Sequence, residues 1–374
     1  MEIIFSIFIS ASYAGLMLWL LYGIFKLKPF QLQQEKQKTS FTICIPFRNE
    51  AENLPRLIAS LKTIDYSTEL FEIIFINDCS EDHSAKIVEE FIQQNKQLSI
   101  QLLENSAKAI SPKKEALSKA IEASTKNYMV TTDADCIVPE KWLQYFNAMA
   151  IKEQLDFIAG PVSYISSNSF LDRFQALDFL SLQAATLGGF GHKEPFLCNG
   201  ANLCYKKSTF LELGGFENDH LASGDDIFLL EKMKSAQKKI DYLSHHEAQV
   251  KTLPPQNLRS LFQQRVRWAA KTSAYKNKNS LLIASIVFVT NLAFILLLYA
   301  TIFKGIDKQA WLLLLIIKVN IDFFILYKTA EFFKTTSLLK SYLIAVILHP
   351  IFIVSSAILS VFTSFEWKGR TYEK

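Results

Sequence analysis

The chain has no basic residue ahead of its first long apolar segment; Glu2 is the only side-chain charge before Lys26. A secretory leader needs a positive n-region, so this segment is expected to persist as an uncleaved anchor. Cysteine is also scarce. Cys44, Cys79, Cys136, Cys198 and Cys204 are odd in number and lack metal-ligand spacing, which excludes a disulfide framework and leaves reduced thiols. A strong excess of one charge is missing: +4 over 374 residues is too weak a basic balance for nucleic acid. Internal repeats and long low-complexity tracts are absent too.

What the chain has in abundance is apolar surface. Half of the residues are hydrophobic and 30 are Phe, too many for an ordinary soluble enzyme, and the excess sits at the two ends. Ile3 to Phe25 and Leu281 to Phe303 carry no charge, and each exceeds the ~20 residues that cross a bilayer. Ala310 to Tyr327 is a third such segment, interrupted by Lys318 and Asp322. Tyr342 to Phe362 is a fourth, with His349-Pro350 near its middle. Lys26, Lys28, Lys36 and Lys38 follow the first segment. Arg259, Arg265, Arg267, Lys271, Lys276 and Lys278 precede the second. The positive-inside bias then puts the intervening domain in the cytosol, with these cations at anionic headgroups. The expected product is a multi-pass cell-membrane protein. Three spans after such a domain would leave Lys368, Arg370 and Lys374 outside, against the same rule, unless the fourth segment is re-entrant or the third does not cross.

Between the ends, strand and helix patterns alternate. Phe41 to Ile45, Phe71 to Ile76, Leu98 to Leu103 and Tyr128 to Thr132 are short apolar strands. Helices are expected over about 52–61 and 84–94, and after Ser111-Pro112, which match an N-cap and first helical residue. Repeated βαβ units predict an α/β domain with a Rossmann-like, mostly parallel sheet that binds ligands beyond the strands' carboxyl ends. The expected organisation is an anchor over 1–27, a polar linker over 28–39 and the α/β domain over 40–256. An amphipathic interfacial helix over 257–279 and two to three spans with a short tail over 280–374 complete it. Phe170 to Leu187, which mixes Leu and Phe with Asp172, Arg173 and Asp178, is expected to be a second interfacial helix.

Chemistry-bearing residues fall where strands end. Asp133-Ala134-Asp135 follows the fourth strand, and two carboxylates so spaced form a hard-oxygen site for Mg²⁺ or Mn²⁺ that takes its remaining ligands from phosphate. Pro46 stops the first strand and leaves Arg48 and Glu50 at the binding edge. Asn77-Asp78 closes the second, where a carboxylate suits the N–H and hydroxyl groups of a nucleoside. Lys113, at a helix start, suits a diphosphate. Asp225 and Asp226 offer a base, or with Ser223 an ordinary acidic first helical turn. Gln264, Arg267 and Trp268 lie on a helix whose apolar positions are Leu258, Leu261, Phe262 and Val266.

In order, these landmarks resemble the family 2 glycosyltransferases, inverting nucleotide-sugar enzymes of the GT-A fold. The resemblance spans roughly Phe41 to Lys271, rests on several ordered motifs and is strongest toward cellulose synthase and poly-N-acetylglucosamine synthase. Asn77-Asp78-Cys79-Ser80-Glu81-Asp82 is similar to the family's Asp-Asp-x-Ser-x-Asp element, with Asn77 in place of the first Asp. Lys113-Lys114-Glu115-Ala116-Leu117 is similar to its Lys-x-x-Ala-Leu helix start, and Gln264-Arg265-Val266-Arg267-Trp268 to its Gln-x-x-Arg-Trp element. The resemblance implies that Pro46, Arg48, Glu50, Asp78, Lys113, Asp133 and Arg267 bind the donor. It further implies that Asp133 and Asp135 hold the divalent cation, with Asp135 the direct ligand. Cys198, Asn199, Gly200, Gln264 and Trp268 would meet the acceptor, and Asp226 would be the catalytic base with Asp225 beside it.

The expected activity is transfer of a sugar from a nucleotide diphosphate, UDP by resemblance, to a membrane-associated lipid or glycan. The alternative is a processive polysaccharide synthase. For that reading four spans are few for a polymer channel, and an oligomer or export partner is expected. A third reading is an inactive sugar-nucleotide sensor or scaffold.

Overall fold

The computed structural model describes residues 2–33, 36–106, 111–165, 169–216, 224–272, 278–305, 307–363, 365–367 and 370–372. Ser223, Lys276, Lys368 and Lys374 lie outside them, and the side chains of Lys271, Lys278 and Arg370 are likewise not described. The chain divides into two compact units. Lys28–Ile165 with Leu197–Leu253 is one, and Met1–Leu27, Ser166–Phe196 and Pro254–Lys374 form the other. Residues 166–196, inside the span expected for the α/β domain, therefore group with the apolar helices.

Along the chain, α1 (Glu2–Lys26) precedes β1 (Phe41–Phe47), α2 (Leu54–Leu61), β2 (Phe71–Asn77), α3 (Ser84–Gln94) and β3 (Ile100–Glu104). Next come α4 (Pro112–Ala123), β4 (Tyr128–Thr131), β5 (Cys136–Ile137), α5 (Trp142–Glu153), β6 (Phe157–Ala159) and β7 (Val162–Tyr164). After α6 (Phe170–Gly191) follow β8 (Leu203–Lys206), α7 (Lys207–Glu212), α8 (Asp225–Ser235), β9 (Ile240–Tyr242) and β10 (Val250–Thr252). The C-terminal part holds α9 (Leu258–Thr272), α10 (Lys278–Phe303), α11 (Lys308–Phe333), α12 (Tyr342–Phe362) and a hairpin of β11 (Phe365–Trp367) and β12 (Arg370–Tyr372).

In the α/β unit a seven-stranded sheet has the order β3-β2-β1-β4-β8-β6-β9. Strands β1 to β4 are mutually parallel, β8 is antiparallel to both β4 and β6, and β6 is parallel to β9. The expected mostly parallel sheet is present. β1 and β2 are buried on both faces because helices cover them, which is why they read as continuous apolar runs. Phe75 lies edge-on to Phe91 of α3 at 6.1 Å, and burying such a ring contributes about 1.5–3 kcal/mol. A second sheet has the order β5-β10-β7.

Contrary to the expectation from sequence, Pro46 does not stop its strand; β1 continues to Phe47, with Pro46 opposite Ile76. The reason is local. Pairing with β4 ends at Cys44, whose carbonyl accepts from the Thr132 N–H at 3.3 Å. Two residues on, Pro46 turns its missing donor to the same side, beyond the end of β4, where no ladder bond is lost. The polar segment after α1 is not loose either. Phe30 N–H bonds the Ser244 carbonyl at 2.8 Å, and Lys38 and Thr39 N–H groups bond Asn147 Oδ1 at 3.2 and 3.0 Å.

The strand order reverses between β1, which leads outward to β2 and β3, and β4 on its other side. That switch point is where a doubly wound sheet opens a binding crevice. The carboxyl ends of β1 to β4 share one edge, and antiparallel β8 brings the residues before it, Asn199 to Asn202, to that edge as well.

Among the described residues, four helices, all in the helical unit, are long and apolar enough to cross a membrane: Glu2–Lys26, Asn279–Phe303, Lys308–Phe333 and Thr336–Phe362. They mark a membrane protein. Neither interruption anticipated in the sequence breaks its helix. Lys318 Nζ pairs with Asp322 Oδ2 at 2.7 Å, and Tyr13 of α1 donates to Asp322 Oδ1 at 2.6 Å, so the charges satisfy each other inside the bundle. α12 runs through Pro350 unbroken. α1 crosses α6 at glycines: a Cβ on Gly191 would lie 1.8 Å from the Gly23 carbonyl oxygen, so the close approach requires small residues.

Candidate active site at the sheet edge

Each strand delivers a polar residue to the shared edge because the chain must leave the buried ladder there. After β2, Asn77 Oδ1 accepts from the Ser80 N–H at 2.9 Å, three residues on, which fixes the loop that leaves the strand. Its Nδ2 donates to both Glu104 carboxylate oxygens at 3.1 and 2.9 Å. This accounts for the departure from Asp-Asp: a carboxylate in place of the Asn77 amide would oppose Glu104 with a second negative charge. The buried Asp78 is held by Asn105, whose Nδ2 donates to Asp78 Oδ1 and to the Pro112 carbonyl, each at 2.9 Å. Asn105 thus connects the nucleoside candidate to the start of α4. It was not singled out from the sequence, because it follows β3 with no motif to mark it.

The next residue, Lys113, is the centre of the cluster. Its Nζ lies 2.8 Å from Asp133 Oδ1 and 3.5 Å from Asp225 Oδ2. Burial disfavours the ammonium, but Asp133 and then Asp225 outweigh it and hold the Lys113 pKa well above the ordinary lysine value. Asp225 is buried beside the lysine at the first turn of α8, whereas the Asp133 side chain is 39% exposed. Asp226 Oδ2 accepts from the Gly200 N–H at 3.1 Å, and the Thr131 hydroxyl donates to the Gly200 carbonyl at 2.6 Å. A Cβ on Gly200 would sit 3.1 Å from Asp225 Oδ2 and 3.5 Å from Lys113 Nζ. Glycine is what lets the backbone come this close to three charged groups. The residue after Lys113, the buried Lys114, has its ammonium 5.1 Å from the centroid of the Phe228 ring of α8.

The structure therefore brings Lys113, Asp133, Asp225, Asp226 and Gly200 together and ties Asp78 to them through Asn105. Other expected site residues serve the loops. Arg48 donates to the Asp78 and Cys79 carbonyls at 2.8 and 2.6 Å and to Glu81 at 2.9 Å. Glu50 is buried and accepts from Asn53 at 2.7 Å at the start of α2. Asp82 accepts from Ala51 and Ser84 N–H groups, both at 3.0 Å; although burial opposes it, these bonds, Ser84's first, hold its pKa below the usual carboxylate value. Asn199 Oδ1 caps the turn before β8 by accepting from Ala201 N–H at 3.0 Å. Cys198 precedes it, partly exposed. Asp135 is partly exposed, with Oδ1 3.6 Å from the Cys136 sulfur; burial and then Asp135 push that thiol's pKa far up, so it stays neutral.

Among the described residues, no group of three or more His, Cys, Asp or Glu side chains could hold a metal ion. The donor set is nonetheless the right kind for a hard cation, because Asp133 and Asp225 already share a tethered one, the Lys113 ammonium. Carboxylates in this number leave ligand positions for water and phosphate.

Gln264, Arg267 and Trp268 belong to the helical unit, on α9. The apolar face expected there is only partly apolar in use: Leu261 and Val266 are buried while Leu258 is 57% exposed. Arg265, expected among the headgroup cations, is instead 5% exposed and paired with Asp178 of α6 at 2.6 Å. A carboxylate buried on α6 leaves a guanidinium one place to go.

The switch point of a doubly wound sheet thus gathers acids around the partly buried Lys113. The glycosyl transferase family 2 model matches residues 42–209, and the model of glycosyl transferase family group 2 matches residues 128–359. The second match covers more than half of the chain, which belongs to that family: it is a glycosyltransferase with a GT-A domain and membrane helices. It is similar to the poly-beta-1,6-N-acetyl-D-glucosamine synthase of Staphylococcus aureus (strain COL), 27% identical over 235 residues, covering 61% of this chain and 53% of that protein. The synthase of the same description from Staphylococcus epidermidis is 25% identical over 259 residues, covering 66% of this chain and 59% of its own. The chain thus spans little more than half the length of the curated relatives it matches. A solved mannosyltransferase of Pyrobaculum calidifontis, in complex with GDP-Man and Mn²⁺, aligns with a TM-score of 0.62 at 18% identity over 94% of this chain and 99% of that one. At that identity the likeness is one of fold.

Proposed function

We propose that the chain transfers a sugar, with inversion, from a UDP-sugar to a membrane-associated lipid or glycan acceptor, with its α/β unit on the cytoplasmic side. The observation that carries this reading is the convergence of Lys113, Asp133, Asp225 and Asp226 on Gly200 at the sheet's binding edge. Asp78 binds the nucleoside, and Lys113, cationic at any working pH, offsets charge on the diphosphate. Asp226 is the base. Its carboxylate, oriented by the Gly200 N–H, takes the proton of the acceptor hydroxyl as that oxygen bonds to the anomeric carbon and the bond to the diphosphate breaks on the opposite face. Asp133 and Asp135 would hold Mg²⁺ or Mn²⁺, which would supply positive charge to offset that of the leaving diphosphate. Arg267 attends the diphosphate, and Gln264 and Trp268 the acceptor.

The sugar proposed is N-acetylglucosamine, because relatives of the chain are N-acetylglucosamine polymer synthases. The same likeness favours a second reading, processive synthesis. Membranes containing the chain, incubated with labelled UDP-N-acetylglucosamine and Mn²⁺, should label a membrane-extractable product. A single added sugar supports single transfer, a ladder of sizes supports the processive reading, and no transfer from any UDP-sugar overturns both.

A further inference from the structure

One buried ionic cluster takes no part in the chemistry above. It lies wholly within the helical unit, where α6, α9 and α12 meet. Arg265 Nε and Nη2 each approach Asp178 Oδ2 at 2.6 Å, and His349 Nε2 of α12 lies 3.1 Å from Asp178 Oδ1. The Asp178 side chain is 2% exposed and that of Arg265 5%. Burial would raise the Asp178 pKa, but Arg265 and then His349 more than offset it, so the carboxylate is charged.

The guanidinium does more than neutralise Asp178. Its carbon lies 4.2 Å from the centroid of the Trp268 ring, and its Nη1 donates to Gln264 Oε1 at 2.5 Å. Phe179, next to Asp178 on α6, packs against the same indole with ring centroids 6.2 Å apart. Arg265 therefore touches two of the residues that define the Gln-x-x-Arg-Trp element, and Asp178 fixes Arg265. A planar fork can bond a carboxylate along one edge, a side-chain amide along another and still stack on an aromatic face. A compact ammonium has no planar fork with which to make all three contacts at once.

We propose that Asp178, acting through Arg265, is a positioning residue that sets the orientation of the Trp268 indole and the Gln264 amide. This rests on the reading of Gln264 and Trp268 as acceptor-side groups. The bland alternative is an ion pair that only holds three helices together, and the two differ in what conservative variants do. The test uses the full chain in membranes, with transfer and acceptor-independent UDP-N-acetylglucosamine hydrolysis both measured. Arg265→Lys keeps the charge opposite Asp178 but leaves the indole uncovered. Its transfer should fall about 10- to 100-fold, the cost of a misplaced substrate-side group, with hydrolysis and melting temperature near those of the parent. Asp178→Asn should act in the same direction, raising the acceptor KM and leaving the donor KM. Combined with Trp268→Phe, which itself lowers transfer, it should add little, because both changes disturb one arrangement. Parental transfer in Arg265→Lys, or losses in Asp178→Asn and Trp268→Phe that multiply in the double variant, would overturn the positioning role. If Asp178→Asn does not fold, Arg265→Lys and its double variant with Trp268→Phe decide alone. Parental transfer in Trp268→Phe would remove the acceptor-side reading itself, and the positioning role with it.

Discussion

The two units each contain a lysine or arginine locked to aspartate, and the pairs differ in one respect that separates a site from a clamp. At the sheet edge Lys113 is 18% exposed and its partner Asp133 39%. In the helical unit Arg265 and Asp178 are 5% and 2% exposed, and Lys318, itself 1% exposed, is closed off similarly by Asp322 and Tyr13. An ion pair that keeps one member facing solvent can exchange its partner for a ligand. One sealed on all sides can only hold its neighbours in place, and breaking it leaves a bare charge in a low dielectric.

That contrast is open to attack from both sides. Asp133→Asn should cut Mn²⁺-dependent transfer roughly 10³-fold, the several kcal/mol a metal site supplies, while changing stability by no more than about 1 kcal/mol because the residue is half-open. Asp178→Ala should do the reverse in stability, costing about 3–5 kcal/mol, read as a large drop in melting temperature in detergent. Equal stability losses in the two variants would erase the distinction.

A smaller effect is expected at Asn77→Asp, which places a carboxylate against the exposed Glu104 and costs about 0.5–1.5 kcal/mol as a lost, partly buried hydrogen bond. Like charges raise the folded pKa of the pair above its unfolded value. The deficit should therefore be full at neutral pH and shrink as pH falls through that raised pKa. Melting temperatures of parent and variant compared down a pH series check this; a constant gap would show that Glu104 is not the cause. Least perturbing is thiol labelling. Cys44, Cys136 and Cys204 are buried, and burial pushes their pKa values up, so a maleimide should modify Cys79 and Cys198 first and the other three only on unfolding.

Much of the edge was legible because it is written in local pattern. β1, β2 and β4 are apolar runs that end in polar residues, and the order of Asp78, Lys113, Asp133 and Asp225-Asp226 along the chain carries the family resemblance. What was hidden depends on long-range partners. Gly200 reaches Asp226 only because β8 runs antiparallel beside β4, and neither the four residues of β8 nor the three of β6 carry a period long enough to read. Arg265 looked like one of several headgroup cations, since nothing near it in sequence discloses Asp178, 87 residues away. Asn77 read as a substitution in a motif until Glu104 supplied its reason. Lys318 and Asp322 looked like an interruption of a span, but at i and i+4 they neutralise each other.

The most direct measurement is made on Asp226→Asn, a change of one oxygen to an amide at the proposed base. Nucleotide affinity, by titration of the purified chain with UDP and Mn²⁺, and turnover of labelled UDP-N-acetylglucosamine should be recorded on the same sample. The expected result is near-parental binding with turnover reduced by about 10²–10⁴, the contribution of a general base. Parental turnover in that variant would contradict the assignment of the sheet edge as the catalytic site.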